Sequence, residues 1–295
     1  MRVLVLGGSG LVGAQFVELQ AGQFEIVAPS HTDLDVLDST VLATALERSK
    51  PDAVVNFVGW ADVDGAEAER DHENGRVFAL NALFPAQLAR QCLDNGVHLV
   101  HVSTDYVFDG TNAERPYSET DTPNPLSWYA RTKYVGECRV LEAHQAACIA
   151  RIEMPFTATH ARKSDFARLV ARRLAGNEPV IAVDDQRITP ILLDDAAAAL
   201  AELVRQRFEG IVHLAATTWT TPYDYAMAIA RRLGLREELI SRQPFADFAK
   251  TRAAARPQHS WLDVSLFTQR CCSAVLRNMD AQVDAWAAAG VRFEA

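Results

Sequence analysis

The sequence has no long hydrophobic run near its start, because the apolar residues 3–6 are followed at once by glycine. A secretory signal needs about 7–15 apolar residues in a row, and a membrane-spanning helix needs about 20. Cysteine is also scarce: the five cysteines form neither a Cys-x-x-Cys pair nor a spacing typical of metal ligands. An odd number of cysteines without a secretion signal favours reduced thiols. We therefore expect a cytoplasmic protein with no metal site.

The chain also lacks an excess of positive charge, with 29 Lys and Arg against 38 Asp and Glu and a formal net charge of −9. Binding to nucleic acids or to anionic membranes usually depends on clustered basic residues. We therefore expect neither a nucleic-acid partner nor a membrane partner. Hydrophobic residues make up 49% of the 295 positions, which is enough for a sizeable core in one large domain or two.

Continuous apolar segments alternate with helix-like segments in the first half of the chain. Such alternation is typical of right-handed βαβ units, which build a parallel sheet with helices on both faces. The sequence therefore predicts an α/β fold with a doubly wound parallel sheet. The expected strands are residues 2–6, 24–28, 53–58, 97–102 and 147–152, and one long helix is expected at residues 75–95.

A glycine-rich turn follows the first predicted strand and opens the first helix. Gly7 permits a tight turn, Gly10 lets the backbone approach a phosphate, and Gly13 allows close packing of helix and strand. The helix N-terminus, with Leu11 and Val12, would then face an anionic pyrophosphate. This context predicts a dinucleotide-binding site of the Rossmann type, and the alternative is a purely structural βα turn.

The end of the second predicted strand, residues 28–31, has no acidic side chain that would bind a ribose 2′-hydroxyl. This favours NADPH as the cofactor, with NADH as the alternative because no arginine follows the strand. Ser30 and His31 would contact the 2′-phosphate, while Asp35 and Val36 would meet the adenine. His31 as an exposed loop residue and Asp35 as a helix cap are the competing interpretations.

Tyr129 and Lys133 are four residues apart and therefore share one face of a predicted helix. A neighbouring ammonium lowers a tyrosine pKa from about 10, so that the phenol exchanges a proton near neutral pH. Thr104, at the end of an apolar strand, would hydrogen-bond the substrate oxygen, and Asn81 would hold a relay water or the backbone. The set predicts transfer of a hydride and a proton onto a carbonyl, although a lone Tyr-x-x-x-Lys also occurs as an ordinary surface pair.

The pattern changes after residue 155, where shorter elements follow. We expect strands at residues 188–193 and 210–214 and helices at 166–174, 194–205, 221–233 and 280–288. The sequence thus predicts a Rossmann domain from residues 1–156 and about 185–220. A smaller, discontinuous α/β C-terminal substrate lobe would take about 157–184 and 221–295. Because ligands of open α/β sheets bind beyond the carboxyl ends of the strands, the substrate is expected between the two.

Several longer segments resemble one known family, the extended short-chain dehydrogenases/reductases. Within it, the chain is similar to the dTDP-4-dehydrorhamnose reductase group of sugar-nucleotide reductases. Residues 103–110 (STDYVFDG) joined to residues 129–137 (YARTKYVGE) carry most of this resemblance. Residues 34–36 (LDV), 62–67 (DVDGAE), 185–190 (DQRITP) and 256–263 (RPQHSWLD) add to it.

The resemblance implies reduction of the 4-keto group of a nucleoside-diphosphate 6-deoxy-4-ketohexose with NAD(P)H. Tyr129 would give the proton, while Thr104 and Lys133 would hold the developing charge. The sugar would lie beside Thr104, Asp105 and Tyr106, and the cofactor would also contact Val58, Gly59, Trp60, Asn81, Ser103, Tyr129, Lys133 and Met154.

Cationic partners for the diphosphate are expected at Arg187 and Arg256, because arginine binds phosphate through two parallel hydrogen bonds. The chain departs from the family in residues 151–156 (RIEMPF), where an Arg-x-x-Trp-Val-Tyr stretch is usual and Met154 replaces the tryptophan. Because of this departure, the sequence does not identify the sugar of the substrate.

Two other functions stay open at this point. One is a sugar-nucleotide epimerase of the same superfamily. The other is a non-catalytic NADP-binding regulatory subunit resembling the β subunit of methionine adenosyltransferase. A 4,6-dehydratase is disfavoured because Tyr106 stands where those enzymes carry a glutamate base. A homodimer is common in the family, but no segment of this chain specifies one.

Overall fold

The computed structural model describes residues 1–159 and 165–291. Its strands are β1 (Arg2–Leu6), β2 (Glu25–Val27), β3 (Ala53–Asn56), β4 (His98–Thr104), β5 (Cys148–Ile152), β6 (Val180–Val183), β7 (Gly210–Leu214) and β8 (Ile240–Gln243). Its helices are α1 (Leu11–Gln20), α2 (Ser39–Ser49), α3 (Arg76–Phe78), α4 (Phe84–Asp94), α5 (Trp128–Ala143), α6 (Phe166–Ala175), α7 (Leu193–Gln206), α8 (Pro222–Leu233), α9 (Phe245–Ala249), α10 (Ser265–Arg270) and α11 (Met279–Ala288).

The main sheet has the strand order β2-β1-β3-β4-β5-β7, and every neighbouring pair is parallel. The predicted doubly wound parallel sheet is therefore confirmed. β3, β4 and β5 are buried along their whole length, as expected for strands covered by helices on both faces. The chain leaves β1 towards β2 on one side and returns to β3 on the other, so a crevice opens at the carboxyl ends of β1 and β3.

The long helix expected at residues 75–95 forms with one irregularity. α3 continues through a π turn, Ala79–Leu83, into α4. This turn lies directly against α5, because a Cβ built on Gly136 would be only 2.0 Å from the carbonyl oxygen of Asn81. π turns within helices are frequent at functional sites, and this one contains a predicted site residue.

We expect Gly136→Ala to lower the free energy of unfolding. In an exposed helix the same change stabilises by about 1 kcal/mol. Here the new methyl group would overlap backbone that has no room to move, and such overpacking costs about 1–3 kcal/mol. Urea denaturation measures the effect, with Gly22→Ala as the control because a Cβ at Gly22 meets nothing within 4 Å. Unchanged stability of Gly136→Ala would mean that the two helices are not in this close contact.

A second, smaller core lies outside the main sheet. β6 and β8 form a two-stranded parallel sheet, α6 and α8 pack against it, and α11 packs against α8. These two short strands were not predicted, because four residues give too little periodicity to recognise. The strand predicted at residues 188–193 is wrong: Ile188 makes only an isolated bridge with Thr220. Pro190 has no N–H to donate, and the Thr189 N–H is bonded to the side chain of Glu153.

No helix within residues 1–159 and 165–291 is long and apolar enough to cross a membrane. Over the same described residues, no cluster of three or more His, Cys, Asp or Glu side chains has the arrangement of a metal site.

Candidate active site

A cavity of about 370 Å³ opens at the carboxyl ends of β4 and β5. It receives residues from many parts of the fold: the start of α1, the turn after β3, the β4–α5 region, the segment after β5, residues 186 and 188, α9 and the loop around residue 256. The predicted site residues that line it are Val12, Gly59, Trp60, Ser103, Thr104, Asp105, Tyr106, Tyr129, Lys133, Met154 and Arg256. Residues far apart in the sequence thus meet in one place.

The glycine turn at the start of α1 is as tight as its sequence implies. Gly7 has a φ of +79°, and a Cβ there would be 3.0 Å from the backbone of Phe57 and of Val58. A Cβ on Gly13 would be 2.3 Å from the Gly7 carbonyl oxygen, so helix and turn pack without a side chain between them. A Cβ on Gly10 meets only that same oxygen, at 3.3 Å, because Gly10 faces outwards. The turn therefore presents bare backbone and the N-terminus of α1, beginning at Leu11, to a ligand.

The loop after β2 contains an acid that sequence reasoning missed. The Asp33 carboxylate accepts hydrogen bonds from the Ser30 hydroxyl at 2.5 Å and from the Ser30 N–H at 3.2 Å. These bonds lower the pKa of Asp33, so the group is ionised at neutral pH. Residues 28–31 contain no acid. The turn nevertheless places the Asp33 carboxylate next to Ser30. His31 is exposed.

The two residues expected at the adenine have ordinary surroundings. The Asp35 side chain is exposed and accepts the Leu37 N–H at 3.0 Å, which closes a local turn. Val36 is partly buried against the core that Leu34 and Leu42 also join. Neither lines the cavity at the ends of β4 and β5, so their contact with an adenine stays a prediction.

The predicted catalytic residues lie side by side. Thr104 is the last residue of β4, and Tyr129 and Lys133 are one turn apart on α5, whose N-terminus is capped by the Ser127 hydroxyl. The Lys133 Nζ donates to the Val102 carbonyl oxygen at 2.8 Å, which fixes the ammonium beneath the cavity. Thr104 lies near enough to the Tyr129 phenol to lower its pKa. The arrangement therefore places a hydroxyl, a phenol and an ammonium around one point.

The direction of the tyrosine pKa shift differs from the sequence-based expectation. Burial raises the pKa of Tyr129 to about 12, and the hydrogen bond with Thr104 opposes this only in part. Burial also lowers the pKa of Lys133 to about 8. A phenol with a raised pKa is protonated at neutral pH, so Tyr129 carries a proton that it could donate. That state suits the reduction of a carbonyl, which consumes a proton.

Asn81 holds the backbone of the turn after β3. Its Oδ1 accepts the Trp60 N–H at 2.8 Å, and its Nδ2 donates to the Thr132 hydroxyl at 3.0 Å. Asn81 is completely buried and thereby links the turn of Val58, Gly59 and Trp60 to α5. The two roles expected for Asn81 are to hold a relay water or to hold the backbone, and these contacts match the second role.

The two candidate arginines have different positions. Arg256 lines the cavity, where it donates to the Asp64 carboxylate at 2.9 Å and lies 5.9 Å from the ring centre of Tyr106. The structure does not bring Arg187 to this cavity. Its guanidinium instead lies 4.9 Å from the ring centre of Trp219 and 5.1 Å from that of Trp261.

Glu153 is a cavity residue that sequence reasoning did not select. It follows β5 and is buried, and it accepts hydrogen bonds from the Thr189 N–H at 2.7 Å and from the Ser260 hydroxyl at 2.7 Å. The next residue, Met154, has a left-handed backbone with a φ of +40°. Backbone of this kind in a non-glycine residue is strained and often occurs at functional sites. A carboxyl group at the end of a buried strand was the signal available in the sequence.

Known proteins resemble this chain over most of its length. Residues 1–289 match the family described as RmlD substrate binding domain. A probable low-salt glycan biosynthesis reductase of Haloferax volcanii is 32% identical over 90% of each chain. The dTDP-4-dehydrorhamnose reductase of Mycobacterium tuberculosis is 32% identical over 88% of this chain and 84% of its own. The methionine adenosyltransferase 2 subunit beta of Rattus norvegicus is 28% identical over 90% and 80%, respectively.

Among solved structures, the dTDP-4-dehydrorhamnose reductase of Bacillus anthracis in complex with NADP superimposes with a TM-score of 0.87. It is 24% identical and covers 97% of this chain and 98% of its own, and this likeness confirms the Rossmann-type fold. The match over residues 1–289 confirms the resemblance seen in the sequence motifs. The chain belongs to the RmlD substrate-binding family, the dTDP-4-dehydrorhamnose reductase-like group of the extended short-chain dehydrogenases/reductases.

Proposed function

We propose that this protein is an NADPH-dependent oxidoreductase that reduces the 4-keto group of a nucleoside-diphosphate 6-deoxy-4-ketohexose. The observation that carries the proposal is the convergence of Thr104, Tyr129 and Lys133 on one cavity next to the glycine turn. The relatives named as reductases bear out the sequence-based assignment to this class of oxidoreductase.

The glycine turn fits a dinucleotide. Its backbone is bare at Gly10, and side chains on Gly7 or Gly13 would collide with backbone, so the turn keeps an open approach to the N-terminus of α1. The pyrophosphate would lie on this turn, and the nicotinamide would lie near Val12 and Met154 at the cavity. When bound there, NADPH supplies the hydride that reaches C4 of the sugar.

The chain's own residues supply the proton and hold the charge. Tyr129, protonated at neutral pH, donates its proton to the C4 oxygen as negative charge develops there. The Thr104 hydroxyl orients that oxygen, and the Lys133 ammonium stabilises the phenolate that Tyr129 becomes. Asn81 keeps the turn at residues 58–60 fixed against α5 while this happens.

We assign the nucleotide to a second cavity of about 360 Å³ that adjoins the first. Met154, Gln186 and Phe248 line both cavities, so a ligand can extend from one into the other. Val170, Val180 and Pro222 give this second cavity an apolar wall for a base, and Arg173 and Arg252 provide positive charge. We therefore propose that residues 157–184 and 221–295 form the substrate side, and residues 1–156 and 185–220 the cofactor side.

Oxidation of NADPH by the purified protein tests this function. The substrates are nucleoside-diphosphate 4-keto-6-deoxysugars, made with a 4,6-dehydratase and varied in both base and sugar. We expect oxidation with at least one of them, and the preferred nucleotide then identifies the base that the second cavity accepts. Tight binding of NADPH in calorimetry without oxidation of any member would contradict the proposal.

We expect Asp33→Asn to raise the preference for NADPH over NADH. The ionised Asp33 lies against Ser30, which we propose as a contact of the 2′-phosphate, and like charges repel. The ratio of kcat/KM for NADPH to that for NADH should rise several-fold. Asp94→Asn, which removes an exposed charge at the end of α4, is the control and should leave the ratio unchanged. An unchanged ratio in Asp33→Asn would place the ribose elsewhere.

The rat methionine adenosyltransferase subunit makes a regulatory role the second candidate. The replacement of the family's aromatic by Met154 in the cavity also favours a site that binds a dinucleotide without turnover. Under this alternative, the protein would co-purify with a stoichiometric partner enzyme and would not oxidise NADPH by itself. The complete catalytic set at Thr104, Tyr129 and Lys133 favours the reductase.

A further inference from the structure

Two buried carboxyl groups lie together on the wall of the cavity. Asp105 follows β4 and Glu153 follows β5, and both are at most 3% exposed. Because β4 and β5 are neighbours in the sheet, their carboxyl ends place these two acids side by side. No lysine or arginine forms an ion pair with either acid among the described residues. A pair of acids buried without a counter-ion holds a proton.

The pair is joined to the catalytic residues by hydrogen bonds. Thr104 Oγ1 donates to Asp105 Oδ1 at 3.1 Å, and Thr104 also interacts with the Tyr129 phenol. On the other side, the Ser260 hydroxyl donates to Glu153 Oε1 at 2.7 Å, and it lies near enough to Asp105 to lower the pKa of that carboxyl group. Asp105 Oδ2 is buried and has no hydrogen-bond partner among the described atoms. A polar chain therefore leads from Tyr129 through Thr104 and Asp105 to Glu153.

Burial and the charge of the other acid decide the ionisation of the pair. Burial raises the pKa of Glu153 to about 7, although Thr189 and Ser260 donate hydrogen bonds to it. Burial and the neighbouring Glu153 raise the pKa of Asp105 well above its usual value. The other titratable or charged groups that line the same cavity are Tyr106, Tyr129, Lys133 and Arg256. Of these, Arg256 is paired with Asp64, and Lys133 is bonded to the Val102 carbonyl.

We propose that the Asp105–Glu153 pair stores the proton that returns to Tyr129 after each reduction. Glu153 then acts on Tyr129 through other residues, as a source of that proton. This inference rests on the proposed reductase function. It differs from a purely structural role for Glu153, in which the carboxyl would only tie residue 189 to residue 260.

The proton balance of the relay is simple. Once Tyr129 has given its proton to the C4 oxygen, it is a phenolate. The pair starts with one proton on each carboxyl group. The Thr104 hydroxyl passes its proton to the phenolate and takes one from Asp105, and the proton of Glu153 then passes through the Ser260 hydroxyl to Asp105, so one proton remains on the pair. The pair loses one proton in total and regains it from water after product release. The transfer is favourable because a carboxylic acid is a stronger acid than a phenol.

The first test needs no substrate. Protein labelled with ¹³C in its glutamate carboxyl groups is titrated and followed by NMR. We expect one glutamate carboxyl with a midpoint of about 7, and we expect this signal to be missing in Glu153→Gln. The control is Glu202→Gln. Glu202 is buried, is paired with Arg205 and does not line the cavity, so this variant should keep the signal. If no glutamate titrates in the neutral range, the pair does not store a proton and the proposal fails.

The second test separates the first turnover from later ones. In Glu153→Gln, Tyr129 starts protonated, so the single-turnover rate of NADPH oxidation should match that of the wild type. The steady-state kcat should fall at least about tenfold, because the phenolate is reprotonated slowly. Ser260→Ala should behave in the same way, and Glu202→Gln should leave both rates unchanged. Equal losses in both rates, with normal melting temperatures, would show a structural role and overturn the relay.

The pH dependence provides a further readout. Glu153 holds its proton below a pH of about 7 and loses it above, so the pair then lacks the proton that the relay passes on, and wild-type kcat should fall as the pH rises through that range. In Glu153→Gln the group that titrates near pH 7 is absent, so the fall of kcat in that range should disappear. If the wild type reduces no sugar nucleotide at all, the reductase function fails and the relay fails with it. The NMR titration reports on the pair independently of that result.

Discussion

Tyr129→Phe should lower kcat by at least about 100-fold, the smaller end of what a general acid contributes. The variant removes the phenol hydroxyl and keeps the ring. The substrate oxygen therefore has no proton donor at that position. Affinity for NADPH should stay nearly unchanged, because the proposed pyrophosphate contacts are made by the glycine turn on α1 rather than by α5. Stopped-flow oxidation of NADPH and calorimetry measure the two effects separately.

The matched control for this prediction is Tyr134→Phe on the same helix. Tyr134 is partly buried against the core and does not line the cavity, so its loss of a hydroxyl should leave kcat unchanged. A kcat near that of the wild type in Tyr129→Phe would remove Tyr129 from the role of proton donor. A similar loss in both variants would indicate that α5 had been disturbed.

Gly10→Val should raise the Kd for NADPH by at least about 100-fold, which corresponds to roughly the loss of two hydrogen bonds to a charged group. The isopropyl group would occupy the space over the turn where we place the pyrophosphate. The backbone of Gly10 has φ −78° and ψ 172°, which valine adopts readily, and its Cβ meets only one oxygen at 3.3 Å. The fold should therefore survive, and the melting temperature without ligand verifies this.

Gly22→Val is the control for the cofactor turn, because a side chain at Gly22 enters open space. It should bind NADPH as the wild type does. If Gly10→Val also binds normally, the glycine turn is not the pyrophosphate site. Gly13→Val would be a poor test, since its Cβ would be 2.3 Å from the Gly7 carbonyl and misfolding would explain any loss.

The features that were predictable from the sequence are those encoded locally. Apolar runs that end at glycine or at polar residues gave β1, β4 and β5, and the spacing of Tyr129 and Lys133 placed both on one face of α5. Position in a doubly wound sheet then brought Thr104 to the same edge, because the carboxyl ends of parallel strands meet there.

The features that were missed depend on contacts between distant segments. Glu153 gains its surroundings from Thr189 and Ser260, which are 36 and 107 residues away in the sequence. The position of Arg187 between two tryptophans is of the same kind, since no local pattern connects those residues. The sign of the Tyr129 pKa shift was also wrong, because the spacing to Lys133 is visible in the sequence and the burial of the phenol is not.

Transfer of deuterium tests the central claim most directly. The protein is incubated with NADPH that carries deuterium on the transferred face of C4 of the nicotinamide, together with the preferred 4-keto-6-deoxysugar nucleotide, and the product is examined by NMR. We predict that deuterium appears at C4 of the product sugar, one atom for each NADPH oxidised. Isomerisation of the sugar without net oxidation of NADPH, or a product without deuterium at C4, would contradict a 4-ketoreductase.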